Sequence, residues 1–259
     1  MRQKPDSPFA SKIFPSPNHG ERKDNKTINS IIMHYTGMST AEGALKWLCN
    51  PVSSVSCHYF IFEDGRILQL VPESRRAWHA GASNWHGETD INSVSIGIEI
   101  VNQGHESGSP PFPDEQIVAT IKLVQDITKR WDIPQKRVLA HSDIAPLRKP
   151  DPGEMFPWGQ LYEAGIGHFV TPEPIKSGRF FSLGDTGAPI EALQSMLAVY
   201  GYGLAVNGVY DTQTEAVIRA FQRHYRPEKV DGVADHSTIT TLHKLIKALS
   251  QSKNASLAC

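Results

Sequence analysis

The segment SVSIGIEIV, residues 93–101, places the tightest constraint on the fold. Successive side chains of an extended chain point to opposite faces, so Val94, Ile96, Ile98 and Ile100 fall on one side and Ser95, Gly97, Glu99 and Val101 on the other. The first face belongs in a core. The second carries a carboxylate beside small neighbours, which leaves open space above the strand at Glu99. A sheet that contains this strand has one packed face and one face shaped to hold something polar.

The neighbouring segments supply the rest of that sheet. TINSIIMHYT reads as a buried strand that ends in His34, and RVLAH as a short strand delivering His141. CHYFIFEDGRILQLV is two β-rich runs around Asp64-Gly65, a strong hairpin signal. STAEGALKWLC reads as a helix, with Ser39 and Glu42 in capping-box spacing. PDEQIVATIKLVQDITKRW is a long amphipathic helix with Ile117, Ile121, Val124 and Ile127 near helical spacing. Strands mixed with helices, with a hairpin inside, predict an α+β fold: a mixed β-sheet flanked by helices.

Residues 1–26 are polar and Pro-rich and read as an N-terminal arm without regular structure; residues 27–168 form the main domain. FVTPEPIKSGRF, residues 169–180, has the prolines and Ser-Gly pair of a linker. After it comes a short repeat. VNGVYDTQT (206–214) and VDGVADHST (230–238) share V-[ND]-G-V-x-D-x-x-T at an offset of 24 residues, and each leads into a helix. Asp211 and Asp235, or the Thr and Ser that follow them, are natural N-caps. With PIEALQSMLAVYG they predict a small all-α, three-helix C-terminal domain over 181–250, then a tail, 251–259.

With 26 basic and 27 acidic residues, the chain has no long-range pull toward nucleic acid or anionic membrane. No apolar run approaches the roughly 18 residues that span a bilayer. Cys49, Cys57 and Cys259 lack metal-type spacing and read as free thiols rather than a disulfide scaffold.

The chemistry-bearing residues concentrate near AHSDIAPLRKPDPG, residues 140–153. A zinc hydrolase uses three protein ligands and an open fourth position, and imidazole and carboxylate suit Zn²⁺. His34 and His141 close buried strands, and Asp151 sits in a Pro-locked turn, so all three are held with little entropy left to lose on binding. Lys149 is placed to aim an ammonium at a polarised carbonyl oxygen. Glu99 is placed to take a proton from water and return it to a leaving amine. Eleven histidines occur in the chain, and on spacing alone a structural or surface role for these two stands beside the metal.

MHYTG, SCHYFIFEDGRILQLVPESRRAWHAG, SIGIEIVN and HSDIAPLRKPDPG, in this order over about residues 25–168, together resemble the zinc-dependent N-acetylmuramoyl-L-alanine amidases related to peptidoglycan recognition proteins. The resemblance implies zinc on His34, His141 and Asp151, with Glu99 as acid/base and Lys149 stabilising the carbonyl. It implies hydrolysis of the amide between N-acetylmuramic acid, or its 1,6-anhydro form, and L-alanine of the stem peptide. Phage-type relatives carry a Tyr where this chain has Cys57, which puts the acid/base burden on Glu99. Residues expected at the substrate cleft are His79, for which bracing its loop is the alternative, Trp78 and Asn92. His58 reads as a packed, hydrogen-bonded histidine, Trp78 and Trp85 as faces for sugar or peptide or as closing the core edge, Asp143 as a cap or brace of its turn, and Arg75 and Arg76 as surface charges.

The C-terminal repeat, through LGDTGAPIEALQSML, NGVYDTQTEAVIRAFQ and VDGVAD, resembles peptidoglycan-binding modules. The partners implied are peptidoglycan and muropeptides. Its expected job is to hold the enzyme on the wall and raise the effective substrate concentration. A wall-binding module favours the periplasm or cell envelope, and an N-terminus without a secretory apolar core favours the cytoplasm; the envelope is the expectation. A phage-type lysin and a non-catalytic recognition protein are the alternatives.

Overall fold

The structure is a computed structural model; it describes residues 4–256, with side chains to residue 251, so Cys259 lies outside the described residues. A six-stranded sheet runs in the order β1-β5-β4-β7-β3-β8. Its strands are β1 (Lys12–Ile13), β3 (Ser30–Tyr35), β4 (Tyr59–Ile61), β5 (Ile67–Gln69), β7 (Ser95–Ile100) and β8 (Val138–Ala140); β2 (His19–Gly20) and β6 (Arg76–Ala77) form a separate ribbon. Strands β4, β7, β3 and β8 are parallel to one another, and β5 turns back antiparallel through the Asp64-Gly65 hairpin. The expected mixed sheet is present.

Alternation decides which face each residue serves. Ile31 and Met33 of β3, Ile96, Ile98 and Ile100 of β7, and Tyr59 and Ile61 of β4 pack in one core with α3 (Asp114–Trp131) and α5 (Trp158–Glu163). The opposite face is covered in two separate pieces. Over β4 and β5, Phe60, Leu68 and Leu70 meet Ala41, Ala44 and Leu48 of α1 (Ala41–Leu48). Over β3 and β8, Ile32 and Leu139 belong to a core shared with the C-terminal helices α6 (Ala188–Tyr200), α7 (Thr212–Tyr225) and α8 (His236–Ser256). His34 and Glu99 are register partners on β3 and β7, on this second face and in the gap between its two coverings. Alternation and coverage together therefore place the polar groups of the sheet in a cleft near the carboxyl ends of the parallel strands.

Three sequence expectations need correction. The N-terminal residues are not without regular structure: β1 pairs with β5, and the Arg22 guanidinium donates to the carbonyls of Glu73, Asn92, Ser93 and Ser95. Strands of two residues carry no readable period, so backbone pairing rather than side-chain pattern orders this segment. The N-cap of α1 is Thr40, not Ser39; its hydroxyl accepts from Gly43 N at 3.1 Å. His141 does not close β8 but opens the short helix α4 (His141–Ile144).

The C-terminal repeat has a structural reason that its motif only hints at. Gln194 accepts from the backbone N–H groups of Asn207 and Gly208 and donates to Asn207, Val209 and Thr214. Gln222 does the same in the second copy with Asp231, Gly232, Val233 and Thr238. Each buried amide satisfies one loop, and Asp211 and Asp235 then cap the following helix by accepting from Thr214 N and Thr238 N.

Candidate active site and metal centre

Three side chains converge in the cleft. His34 Nδ1 lies 2.9 Å from His141 Nδ1, and each is 3.0 Å from Asp151 Oδ2. All three residues are buried. For neutral rings, the form that binds a metal, the outer ring nitrogens identify the tautomers. His141 Nε2 faces the Ala80 carbonyl at 3.1 Å, a pure acceptor, so it carries the proton and Nδ1 is a bare lone pair. His34 Nε2 faces His79 Nδ1 at 3.1 Å, and His79 Nε2 faces the Ser95 hydroxyl at 3.2 Å, which donates onward to the Ile91 carbonyl at 2.6 Å. A consistent direction for this chain is His34 Nε2–H to His79, and His79 Nε2–H to Ser95, which leaves His34 Nδ1 bare as well.

Two imidazole lone pairs and a carboxylate oxygen therefore face one another within 3.0 Å, with no proton to bridge them. Acceptors repel unless a cation lies between them. A Nδ1, Nδ1, Oδ2 donor set with a cleft on its open side fits a metal ion with three protein ligands and a fourth, exchangeable position. Burial, followed by the neighbouring His141, pushes the His34 imidazole down to about 4, so it is neutral, as a ligand must be.

The cleft has a volume of about 450 Å³, and His34, Glu99, His141, Lys149 and Asp151 share its floor. Glu99 Oε2 is shielded from solvent and has no hydrogen-bond partner among the described residues. Burial and the Asp151 charge push the Glu99 carboxyl well above its ordinary value, and Lys149 opposes them. A carboxyl tuned upward beside a convergent donor set suits proton transfer near neutral pH. Cys57 is fully buried against this strand, and burial and the Glu99 charge raise its thiol well above its ordinary value, so it stays a packed thiol. Neither Cys49 nor Cys57 is in a disulfide.

The residues expected at the substrate cleft divide. Trp78 is half-buried and lines the cleft, as do Trp47 and Met38. His79 touches the cleft but is 92 % buried, with 8 % exposure, and its nitrogens are committed to His34 and Ser95. Its ring occupies the space above Gly97, where a Cβ would sit 2.4 Å from His79 Cγ; the open space beside Glu99 is thus partly filled by His79. Asn92 does not line the cleft. Its side-chain oxygen accepts from the backbone N–H groups of His79 and Ala80, so it holds the segment that supports both histidines. An Asn beside a strand gives no sequence signal for which of these jobs it has.

Sequence reasoning missed Arg148 and His105. Arg148 Nη2 donates to the Ala80 and Ala82 carbonyls, the first of which also receives His141. His105 bridges the Tyr35 hydroxyl and Glu154 at the rim. The glycine at 104 was the available signal for a tight rim loop: its φ is 72°, and a Cβ there would meet the Tyr35 ring at 2.6 Å. Among the secondary assignments, His58 is a packed histidine as expected: Gly97 N donates to Nδ1, and Nε2 faces the Arg75 carbonyl. Asp143 braces its turn by accepting from Ala140 N at 2.8 Å.

Comparison with known proteins agrees with this geometry. The N-acetylmuramoyl-L-alanine amidase family matches residues 24–154, and a peptidoglycan binding domain matches residues 186–242. The chain is 37 % identical over 239 residues to the N-acetylmuramoyl-L-alanine amidase AmiD of Escherichia coli, covering 86 % of this chain and 84 % of that protein. The structure of E. coli AmiD in complex with the substrate anhydro-N-acetylmuramic acid-L-Ala-D-γ-Glu-L-Lys superposes with a TM-score of 0.72, over 85 % of this chain and 89 % of the other. AmpDh3 of Pseudomonas aeruginosa in complex with anhydromuramic pentapeptide superposes with a TM-score of 0.69 at 32 % identity, over 89 % and 93 %. With its strand order, its His-His-Asp centre and these likenesses in agreement over most of its length, the chain belongs to the N-acetylmuramoyl-L-alanine amidase family.

Proposed function

We propose that the protein is a zinc amidase that hydrolyses the bond between N-acetylmuramic acid, or its 1,6-anhydro form, and L-alanine of the stem peptide. The observation that carries this reading is the set of three converging acceptors, His34 Nδ1, His141 Nδ1 and Asp151 Oδ2, opening into the cleft that also holds Glu99 and Lys149. Two imidazoles with one carboxylate are a ligand set that zinc hydrolases use. The substrate named in the AmiD complex and the anhydromuramic pentapeptide of the AmpDh3 complex support the bond assigned.

Bound there, zinc supplies Lewis acidity toward the lactyl carbonyl and lowers the pKa of water. The protein groups do the rest. Glu99 takes the proton from the attacking water and passes it to the alanine nitrogen as the amide breaks, because its raised pKa suits both transfers. Lys149 presents a positive charge to the carbonyl oxygen as negative charge develops on it. Trp78 and Trp47 offer flat apolar faces to the sugar or peptide. The module at 186–242 supports a wall-facing role, and we place the enzyme at the cell envelope.

The test is mass spectrometry of products after incubating the zinc-loaded protein with intact sacculi and, in parallel, with soluble anhydro-muropeptides. Stem peptides freed from both support the full reading, and loss of release after chelation, restored by Zn²⁺, ties it to the metal. Release from the soluble fragments alone confines the activity to turnover fragments and removes the envelope placement. No release from either, with zinc bound, overturns the enzyme.

A further inference from the structure

Two of the three metal-site residues lie on one segment, 141–151, which the C-terminal module hydrogen-bonds at Asp143 and approaches, just past its far end, with an ion pair to Glu154. Asp143, two residues beyond His141, is fully buried. Its Oδ1 accepts from the Tyr202 hydroxyl at 2.8 Å, and its Oδ2 from Ala140 N at 2.8 Å and from His224 Nδ1 at 2.7 Å. Glu154, three residues beyond Asp151, lies 3.8 Å from Arg223 Nε and 3.0 Å from His105 Nε2. Arg223 and His224 are neighbours in the last turn of α7. The His224 ring is stacked between Trp158, at 3.7 Å between centroids, and Tyr225, at 3.8 Å, so its donor direction is fixed.

A buried carboxylate keeps its place only while its acceptors are filled. Of the three donors on Asp143, two come from the module. The third is the backbone N–H that opens the turn carrying His141. A linker-tethered anchor would leave these groups to the catalytic domain alone, whereas here the helices also share one apolar core with Ile32, Leu139 and Ile144.

We propose that the C-terminal module is a positioning part of the catalytic centre, in which His224 and Tyr202, through Asp143, and Arg223, through Glu154, hold His141 and Asp151 at the spacing their metal requires. The proposal rests on the metal-site reading above. His224, Tyr202 and Arg223 touch neither metal nor substrate; they act through the segment they hold.

The experiment measures Zn²⁺ affinity by chelator competition, the visible d–d spectrum of the Co²⁺-loaded protein, and kcat and KM on a soluble anhydro-muropeptide, for wild type, His224→Ala, His224→Asn and Tyr202→Phe in the full chain. His224→Ala is expected to weaken Zn²⁺ at least tenfold, shift the Co²⁺ band and lower kcat with KM unchanged. His224→Asn, whose amide nitrogen stands near the Nδ1 position, is expected to recover most of the affinity, and Tyr202→Phe to move the same readouts less. Wild-type affinity and spectrum in both His224→Ala and Tyr202→Phe overturn the proposal. If circular dichroism shows His224→Ala unfolded, Tyr202→Phe decides: an unchanged spectrum and affinity overturn the proposal. A wild type that takes up no metal overturns the metal-site reading itself, an outcome separate from equal affinities in wild type and variants.

Discussion

The His79 ring stands edge-on to His34, at an interplanar angle of 80°, with Nδ1 3.1 Å from His34 Nε2. The contact fixes which nitrogen of His34 is left to face the cleft. Second partners of this kind commonly change metal affinity 10–100-fold. His79→Ala is expected to weaken metal binding within that range. Gly97→Ala should give the same defect with His79 still present, because the new Cβ would lie 2.4–2.7 Å from the ring. Chelator competition on both variants checks this; wild-type affinity in Gly97→Ala would show that the ring has room to move.

Glu99 and Lys149 are expected to separate in their pH behaviour. Glu99→Gln should lower kcat by about 10²–10⁴-fold while metal is retained. In the wild type the carboxylate form is the base, so activity rises with pH through the Glu99 pKa, above the usual carboxylate range. Lys149 lowers that pKa, so Lys149→Met removes the stabilising cation and should move the acidic limb of kcat/KM to higher pH. A limb that moves to lower pH, or does not move, would remove Lys149 from this role.

Glu73 is the expected weak point for stability. Its carboxylate accepts from Tyr59 Oη at 2.6 Å, from Arg130 at 2.6 and 2.7 Å, and from Trp131 Nε1 at 2.6 Å. Burial would raise its pKa, but these donors outweigh burial and lower it below 4.5. A depressed folded-state value contributes stability above the unfolded pKa and loses it as pH falls through the folded one. Glu73→Ala should cost about 3 kcal/mol at pH 7, with Arg130 partly solvated, and the gap to wild type should narrow below about pH 4. Urea melts at several pH values measure it; a gap constant with pH would contradict the ion-pair account.

The paired amides of the module make a fourth expectation. Gln222→Ala removes the partner of Asp231 N, Gly232 N, the Val233 carbonyl and Thr238. Leaving such buried groups unsatisfied costs roughly 1–3 kcal/mol each before relaxation. Because α7 shares its core with Ile32 and Leu139, the whole chain should melt lower in one transition. Calorimetry that resolves two transitions, with only one shifted, would show the units to be independent.

What the sequence disclosed follows from the range of each interaction. The alternation at 94–101 and the Asp64-Gly65 turn are local, and the sheet came directly from them. The gathering of His34, Glu99, His141, Lys149 and Asp151 is non-local; spacing alone left it open, and the resemblance carried it. His79 was expected on the substrate because a histidine in a loop has no period; Gly97 beneath it was the overlooked sign of a ring needing space. Tyr200, Tyr202 and His224 carry no sign of interdomain packing in the sequence, yet they meet Trp85, Asp143 and Trp158 across the domain boundary. Packing between two units leaves no mark in either unit's own periodicity.

The pairing of β1 with β5 has a further consequence for anyone cutting the chain. The family match begins at residue 24, beyond both β1 and Arg22. A fragment started there would bare the outer edge of β5, Ile67–Gln69, and the carbonyls of Glu73 and Ser95 that Arg22 now fills. An open strand edge recruits a second chain by the same hydrogen bonds. The first two dozen residues thus act as a built-in guard against self-association, and their loss would appear as precipitation rather than as a slower enzyme.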